Sequence, residues 1–317
     1  MARARRRFDP RGPGWARARD ILREVVTREL GPIANMGRLE WFGEGLSREV
    51  YATSVELASG EEDGFLVALP KLDAPDGIDE RARQEARLLA RLQTRELPFR
   101  VSAIIGTAPD GRRLAIVRRF VRGLVADLRA GRQMNEPWQV VAELAAAIHA
   151  IAGTEVADVL PGAKTRRAHA LDEISVLARP ELGEAHAWAL AHLPPDEPST
   201  LVHGDLLGPN ILLGVDEPDA VLDWEYATCG DPAYDLAMVT RGARQPFQVT
   251  GGLDRLLEAY RAHGGRDVTV AHVRVHELCL MGRSYEDALS GETPHAPGHY
   301  LTMLDGLLRR VSADRSL

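Results

Sequence analysis

Hydrophobic positions follow two different patterns along the chain, and the change falls near Gly123. Before it, short apolar runs separated by turn-forming residues predict β-strands. They lie at 38–42, 50–57, 65–71, 101–106 and 113–117. Two segments of this part, 20–30 and 77–92, carry apolar residues at helical spacing and predict helices. The first part of the chain is therefore expected to be a sheet accompanied by helices.

Helical spacing dominates beyond Gly123. It predicts helices at 136–151, 171–177, 181–193, 251–264, 268–290 and 299–313. His149 lies near the end of the first of these helices and is interpreted as a core histidine with satisfied hydrogen bonds. His272 and His276 stand four residues apart, but no carboxylate motif accompanies them, so they are expected to be a surface pair.

Three short apolar runs interrupt the helical region and predict buried strands. They are 201–202, 211–213 and 220–222. Polar residues stand at their ends: Asp205 and Asn210 lie between the first two runs, and Asp223 follows the third. Phosphoryl transfer needs a carboxylate that accepts the hydroxyl proton, and an amide oxygen and a second carboxylate that hold magnesium. The spacing of Asp205 and Asn210 matches the protein-kinase catalytic loop, and Asp223 stands where the next metal carboxylate is expected.

These residues belong to a longer series of motifs. It runs from His203-Gly204-Asp205 and Asn210 through Leu222-Asp223-Trp224-Glu225 to Gly230-Asp231-Pro232 and Asp235-Leu236-Ala237. In order and spacing the series closely resembles the aminoglycoside phosphotransferase group, to whose wider family choline kinases and macrolide kinases belong. The resemblance implies an α+β, bilobal, protein-kinase-like fold. Its N-lobe would be an antiparallel sheet with a helix, and its C-lobe would be mostly helical.

The resemblance also implies the domain boundaries. Residues 20–122 are expected to form the nucleotide-binding N-lobe. Residues 123–317 are expected to form the C-lobe, with the catalytic and acceptor-binding residues. Residues 1–19 contain seven arginines and one acidic residue, and this composition predicts a flexible basic tail.

The same resemblance implies different roles for Asp205, Asn210 and Asp223. Asp205 is expected to be the catalytic base, which orients and deprotonates the acceptor hydroxyl. Asn210 and Asp223 are expected to bind Mg²⁺.

Three further residues are expected to support the loop rather than touch the substrate. His203 is expected to hold the loop geometry through a hydrogen bond to backbone or carboxylate. Asp231 and Asp235 follow a glycine and open a helix, where side-chain oxygens cap free amides.

A glycine-rich turn predicts the nucleotide site of the N-lobe. Gly43, Gly45 and Ser47 lie between two predicted strands, where backbone amides can approach phosphates. Further along, Arg119 and Val121 fall in a stretch that resembles the hinge joining the two lobes, whose backbone would bind adenine. Because backbone groups do the binding there, residue identity does not separate the nucleotides, and the donor is expected to be ATP or GTP.

One strand departs from the family pattern. The resembling family usually carries lysine or arginine two or three residues before Lys71, where this chain has Ala68 and Leu69. Lys71 is therefore predicted to take the phosphate role, with a bulge at Pro70 re-aiming its side chain. The alternative is that Lys71 is a solvated residue at the strand end.

Two other residues bear on this departure. Glu85 sits on the predicted helix where the family places the acid that pairs with the strand lysine; a surface glutamate is the alternative. If Lys71 does not supply the charge, an arginine elsewhere, such as Arg48, must do so.

Composition narrows the class of protein. The net charge of −7, from 39 basic and 46 acidic residues, argues against a nucleic-acid partner. No apolar run approaches the roughly 20 residues of a membrane span, and the basic N-terminus lacks the apolar segment of a secretory signal. Cys229 and Cys279 are too few for a disulfide framework or a zinc site. We therefore expect a cytoplasmic protein without a membrane partner, either a monomer or a homodimer.

Together these features predict an ATP- or GTP-dependent phosphotransferase that acts on a small-molecule hydroxyl. The resemblance points to an antibiotic, such as an aminoglycoside or a macrolide. An aminoglycoside pocket would be richly acidic, yet the last helices mix arginines with acids. A metabolite kinase for choline, homoserine or a sugar therefore stays open. A nucleotide-binding pseudoenzyme also stays open, because the strand cation of the family is missing at Ala68 and Leu69.

Overall fold

The computed structural model describes residues 14–44, 48–71, 77–241 and 245–313. The chain divides into two compact units. The first comprises Met1–Glu96 and Arg100–Gly123, and the second comprises Leu97–Phe99 and Leu124–Leu317. The main division thus falls one residue beyond the 122/123 boundary given by the sequence. Most of the predicted basic tail, residues 1–13, lies outside the described residues.

The first unit is built on an antiparallel sheet. The described strands of this unit are β1 (Ile33–Met36), β2 (Glu40–Glu44), β3 (Arg48–Leu57), β4 (Glu62–Pro70), β5 (Arg100–Val101), β6 (Ile104–Asp110) and β7 (Arg113–Arg119), and all of them except β5 belong to this sheet. Its described helices are α1 (Trp15–Leu30) and α2 (Ile78–Gln93). The sheet has six strands in the order β1-β3-β4-β7-β6, with β2 also paired to β3.

The pairing of β3 and β4 settles the geometry around Pro70. Its register is continuous from Arg48 opposite Pro70 to Glu56 opposite Glu62. The predicted bulge at Pro70 is therefore wrong, because proline here occupies the last position of the strand. Lys71 follows the end of β4 and is half-buried.

Helix α1 covers one face of this sheet. Its buried residues are Ala18, Ile21, Leu22, Val25 and Val26, which pack against side chains of β3, β4, β6 and β7. The helix begins at Trp15, before the predicted start at residue 20, because its apolar spacing extends back to Ala18. The Gly14 N–H donates to the Tyr51 hydroxyl at 2.8 Å, which ties this start to the sheet. Residues 15–19 are therefore helical and not part of a tail.

Helix α2 packs on the opposite face of the sheet. Successive strand residues point to opposite faces. Val67 and Leu69 accordingly join the α1 side, whereas Ala68 between them belongs to a separate cluster with Ile116 of β7 and Ala82 of α2. Ala68 is 6% exposed, so the strand position expected to carry a cation is buried and apolar.

The second unit is mostly helical. Its described helices are α3 (Pro137–His149), α4 (Arg166–Ile174), α5 (Gly183–Ala191), α6 (Ala233–Thr240), α7 (Gly252–Ala262), α8 (Val270–Leu289) and α9 (Pro297–Ala313). Its described strands are β8 (Leu124–Val125), β9 (Thr200–Val202), β10 (Ile211–Leu213), β11 (Ala220–Val221) and β12 (Thr228–Gly230). The predicted α+β class is confirmed. Among the described residues, no helix combines the length and apolar character needed to cross a membrane.

Helix α4 starts earlier than its predicted position at residue 171. Thr165 caps it, since its Oγ1 accepts a hydrogen bond from the Ala168 N–H at 3.2 Å. Arg166 and His169 in the first turns are buried although they are polar. These two residues interrupt the apolar pattern, which is why the spacing alone placed the helix too late.

Two small antiparallel pairings position the polar loops of the second unit. Strand β9 pairs with β12, with Val202 opposite Thr228. Strand β10 pairs with β11 on one edge and with β8 on the other. The short buried strands predicted from the apolar runs are thus present, and β9 and β10 flank the loop that carries Asp205 and Asn210.

Candidate active site

Asp205 and Asn210 are joined within the loop between β9 and β10. The Asn210 side-chain amide donates to the Asp205 carbonyl oxygen at 2.8 Å and to Asp205 Oδ2 at 2.9 Å. Both partners are acceptors, so the amide nitrogen must face Asp205 and the amide oxygen points elsewhere. Asp205 is half-buried. Its carboxylate is therefore held in one orientation while it stays accessible.

The β10–β11 hairpin brings Asp223 beside this loop. The Leu222 N–H donates to the Asn210 carbonyl oxygen at 2.8 Å, and Asp223 is the next residue. Asp223 is exposed and has a φ of 65°, a left-handed conformation that is uncommon outside glycine. Residues held in such conformations cluster at functional sites. An amide oxygen and a carboxylate are thus presented from neighbouring, bonded segments.

His203 links the loop to the hairpin from a fully buried position. Its Nδ1 accepts from the Asp205 N–H at 3.2 Å, and its Nε2 lies 2.9 Å from the Leu222 carbonyl oxygen. An N–H donor needs a bare ring nitrogen as acceptor, so the ring hydrogen is on Nε2 and is donated to Leu222. The buried Trp224 ring packs against the imidazole at a centroid distance of 4.6 Å.

Asp235 of α6 holds the backbone at the start of the loop. Its carboxylate accepts the N–H of His203 at 2.8 Å and the N–H of Gly204 at 2.9 Å. His149 Nε2 lies 3.0 Å from the same carboxylate, and His149 Nδ1 lies 2.8 Å from the Tyr260 hydroxyl. The buried His149 is a satisfied core histidine, as predicted.

The charge of Asp235 is maintained although the residue is fully buried. Burial alone would raise the pKa of Asp235, but the contacts with His149 and His203 outweigh burial and lower the pKa below its ordinary value. No side chain caps α6 itself. The amides that Asp235 binds are those of the catalytic loop, where the negative charge strengthens each bond.

Asp231, at the end of β12, is the centre of a second buried cluster. It accepts from Arg166 Nε at 2.8 Å and lies 2.9 Å from His276 Nε2, while its own N–H donates to His169 Nδ1 at 3.1 Å. Burial raises the pKa of Asp231, but His276 and Arg166 lower it further, so the net shift is downward. His276 is fully buried, so the prediction that His272 and His276 form a surface pair is wrong.

Sequence reasoning missed Arg166, His169 and His276 because their partner is far away in the chain. They come from α4 and α8, whereas Asp231 precedes α6. The one local signal was a set of polar residues inside amphipathic helices, and such residues are more often solvated.

Gly204 is required by the shape of the loop. Its φ is 84°, and a Cβ added there would lie 2.2 Å from the Tyr226 carbonyl oxygen. Both the left-handed backbone and the close approach exclude a side chain. The glycine between His203 and Asp205 is therefore a steric necessity.

The predicted nucleotide residues belong to the first unit. Gly43 lies in β2, opposite Val50 and beside a register shift of the β2–β3 pairing. Gly45 and Ser47 lie outside the described residues. Glu85 of α2 is buried, which excludes the surface-glutamate alternative. Arg118 donates two hydrogen bonds to the Glu85 carboxylate, at 3.0 and 2.9 Å.

Part of the stretch predicted to be a hinge belongs to the sheet, since Arg119 is the last residue of β7. The Arg119 N–H donates to the Ala103 carbonyl oxygen at 2.8 Å, and its own carbonyl accepts from Ser102 Oγ at 2.9 Å. The Arg119 side chain pairs with Asp63. Since both backbone groups of Arg119 are engaged, Val121 is the better candidate for a backbone contact with adenine.

The oxygen donors of Asn210 and Asp223 fit magnesium. The described residues contain no group of three or more His, Cys, Asp or Glu side chains arranged to hold a metal ion. Magnesium, however, usually binds one or two protein oxygens together with waters and substrate phosphates. The amide oxygen of Asn210 and the carboxylate of Asp223 are a donor set of this kind.

Solved structures of phosphotransferases are similar to the chain over most of its length. Macrolide 2′-phosphotransferase type I is 21% identical, with a TM-score of 0.62 and coverage of 96% of this chain and 99% of that one. A macrolide 2′-phosphotransferase from Brachybacterium faecium is 21% identical, with a TM-score of 0.57 and coverage of 93% and 97%. A thermostable mutant of the aminoglycoside phosphotransferase APH(4)-Ia, in complex with ADP and hygromycin B, is 15% identical, with a TM-score of 0.62 and coverage of 92% and 99%. The predicted protein-kinase-like fold is thereby confirmed.

Two curated relatives match over short stretches. Acyl-CoA dehydrogenase family member 11 of Gallus gallus is 42% identical over 65 residues, which are 20% of this chain and 8% of that protein. Acyl-CoA dehydrogenase family member 10 of Mus musculus is 44% identical over 52 residues, which are 16% of this chain and 5% of that protein. The matches thus span less than a tenth of either relative. A family model described as "Phosphotransferase enzyme family" matches residues 45–274, well over half of the chain.

Proposed function

Because the chain belongs to the phosphotransferase enzyme family, we propose that it transfers the terminal phosphoryl group of ATP or GTP to a hydroxyl of a small molecule. One observation carries the proposal: Asn210 orients the Asp205 carboxylate at 2.9 Å, while Asp235 binds the backbone just before it. A base held in this way is prepared before substrate arrives, and positioned bases typically contribute about 10²- to 10⁴-fold to the rate.

In the proposed reaction the acceptor hydroxyl oxygen attacks the γ-phosphorus. The bond between that phosphorus and the bridging oxygen breaks, and a nucleoside diphosphate leaves. The hydroxyl proton passes to Asp205. Since Asn210 occupies Oδ2 of Asp205, Oδ1 is the atom that accepts the proton.

Asn210 and Asp223 are the proposed magnesium ligands. When bound, the ion neutralises charge on the transferring phosphoryl group. Asn210 would then have two tasks, since its nitrogen holds Asp205 and its oxygen would bind the metal. In the first unit, the turn at Gly43 and the backbone near Val121 are the proposed nucleotide contacts, together with Lys71.

An antibiotic is the proposed acceptor, on the strength of the macrolide and aminoglycoside phosphotransferases that the chain resembles. Charge favours a macrolide over a multiply cationic aminoglycoside. Two acids of α8 are already paired, Glu277 with Arg274 and Glu286 with Arg179. Burial also raises the pKa of Glu277. These acids therefore offer little to an ammonium group, and a neutral sugar or alcohol acceptor fits equally well.

The experiment is a turnover assay with magnesium and either ATP or GTP. The acceptor panel contains macrolides, aminoglycosides, choline, homoserine and sugar alcohols, and products are identified by mass spectrometry. Asp205→Asn is the test variant, because it keeps the shape and the Asn210 contact but cannot accept the proton. We expect a phosphorylated product that this variant loses while nucleotide binding persists.

Two results would contradict the proposal. If Asp205→Asn loses thermal stability in parallel with activity, the carboxylate has a structural role. If the wild type binds nucleotide but phosphorylates nothing on the panel, the pseudoenzyme alternative is favoured.

A further inference from the structure

The first unit contains a buried ion pair between α2 and β7. Glu85 is 2% exposed, and Arg118 meets it with two parallel hydrogen bonds, Nη1 to Oε1 at 3.0 Å and Nη2 to Oε2 at 2.9 Å. This fork geometry is the strong, directional form of the arginine–carboxylate contact. Removing two charges from water is costly, so a pair of this kind persists where its geometry is good.

The sheet register places Arg118 beside the strand position that lacks a cation. Arg118 lies opposite Leu66, and Ile116 lies opposite Ala68. Since residues two apart on a strand point to the same face, Arg118 shares a face with Ile116, and Leu66 with Ala68. Ala68 and Ile116 pack against Ala82, one helical turn before Glu85 on α2. The guanidinium and the apolar side chain of Ala68 therefore adjoin the same side of α2.

We propose that Arg118 contacts the phosphates of the nucleotide donor and takes the place of a cation on β4 at Ala68. This inference rests on the proposed phosphotransferase function. Arg118 is positioned by Glu85 but reaches the ligand itself, so it is a binding residue.

Two features of the pair support a ligand on the arginine side. The Arg118 side chain is 15% exposed, whereas that of Glu85 is 2% exposed, so the pair is open to solvent on the arginine side. The planar guanidinium is also well suited to phosphate oxygens.

The test moves the cation from one strand to the other. Arg118→Met removes it, and the double variant Arg118→Met, Ala68→Lys restores a cation on β4. Arg17→Met is the matched control, because it breaks the ion pair with Asp110 in the same unit. Nucleotide dissociation constants are measured by calorimetry with magnesium and ATP or GTP, and unfolding temperatures are recorded alongside.

We expect Arg118→Met to weaken nucleotide binding by about 10- to 100-fold, the loss of one charge-assisted contact. The double variant should recover affinity to within about fivefold of the wild type, while Arg17→Met should change it by less than about twofold. Arg118→Lys, which keeps the charge but loses the fork, should fall between the wild type and Arg118→Met.

Several outcomes would overturn the inference. A fall in unfolding temperature without a change in nucleotide affinity, in both Arg118→Lys and Arg118→Met, would assign the pair a structural role alone. So would a Lys71→Met variant that loses the affinity while Arg118→Met keeps it. If the wild type binds no nucleotide, the inference fails together with the proposed function. If it binds nucleotide through Arg118 but phosphorylates no acceptor, only the proposed function fails.

Discussion

Buried carboxylates organise both units of the molecule, but they bind different kinds of partner. In the second unit Asp235 accepts the backbone amides of His203 and Gly204. In the first unit Glu85 accepts the side chain of Arg118. The first arrangement fixes the path of the chain, whereas the second fixes one side chain.

This difference determines which side-chain substitutions each arrangement can accommodate. A carboxylate that binds backbone amides stays useful whatever side chains the loop carries, and the loop cannot move without breaking both bonds. A carboxylate that binds a side chain needs only a cation within reach. Because neighbouring strands place their residues side by side, either β4 or β7 can supply that cation.

The largest expected effect comes from a substitution at Gly204, whose N–H is one of the two backbone groups that Asp235 binds. Gly204→Ala should destabilise the protein by about 2–5 kcal/mol, because it adds left-handed strain to a clash with the Tyr226 carbonyl oxygen. Phosphoryl transfer should be lost as the loop shifts. Chemical denaturation and the turnover assay measure the two effects.

Gly183→Ala is the control for this change, since a Cβ there has no neighbour within 4 Å. A stable and active Gly204→Ala protein would show that the loop tolerates another backbone path.

A smaller effect is expected when each carboxylate is neutralised. Asp235→Asn should cost about 2–4 kcal/mol and lower kcat, because a hydrogen bond to the charged group is lost and the amide nitrogen faces a donor. The KM for nucleotide should stay within about twofold of the wild type.

Glu85→Gln should show the opposite pattern, a raised KM with kcat nearly unchanged. Steady-state kinetics on both variants checks this, and equal changes in both constants for both variants would erase the distinction.

The smallest expected effect is a pH dependence confined to the second unit. Burial, with a contribution from His276, lowers the pKa of His169 from 6.5 to about 3. Between these values the unfolded chain binds a proton that the folded state excludes, so stability is complete above pH 6.5 and falls as the pH decreases. At about 1.4 kcal/mol per pH unit, the wild type should lose about 2 kcal/mol between pH 6.5 and pH 5 from this residue.

His169→Asn tests this dependence, because its side-chain oxygen can still accept the Asp231 N–H. Denaturation curves across the pH range should show a shallower slope for the variant than for the wild type. Parallel slopes would mean that His169 titrates normally in the folded state.

The fold and the catalytic loop were largely predictable from the sequence, for a physical reason. The predicted catalytic residues Asp205, Asn210 and Asp223 lie within one short stretch, and the β10–β11 hairpin brings Asp223 beside the loop that carries the other two. The resemblance drawn from that stretch is confirmed by the family match. Apolar periodicity also located most helices and strands, because each buries one face.

What the sequence did not reveal depends on contacts between distant segments. The pairing of Arg118 with Glu85 was not predicted, because nothing near Arg118 in the chain indicates Glu85. Arg166 and His276 look like surface residues until α4 and α8 are placed around Asp231. The same holds for strand β1, whose four residues include exposed positions and give too weak an alternation to predict it.

The absence of room for a side chain at Gly204 has a consequence for regulation. Protein kinases whose loop reads His-Arg-Asp have an arginine at this point, and phosphorylation orders kinase activation loops through contacts between arginine and the phosphoryl group. Here the Tyr226 carbonyl oxygen occupies the space that the first carbon of such a side chain would need. A phosphorylation switch read by an arginine at this position is therefore excluded by sterics.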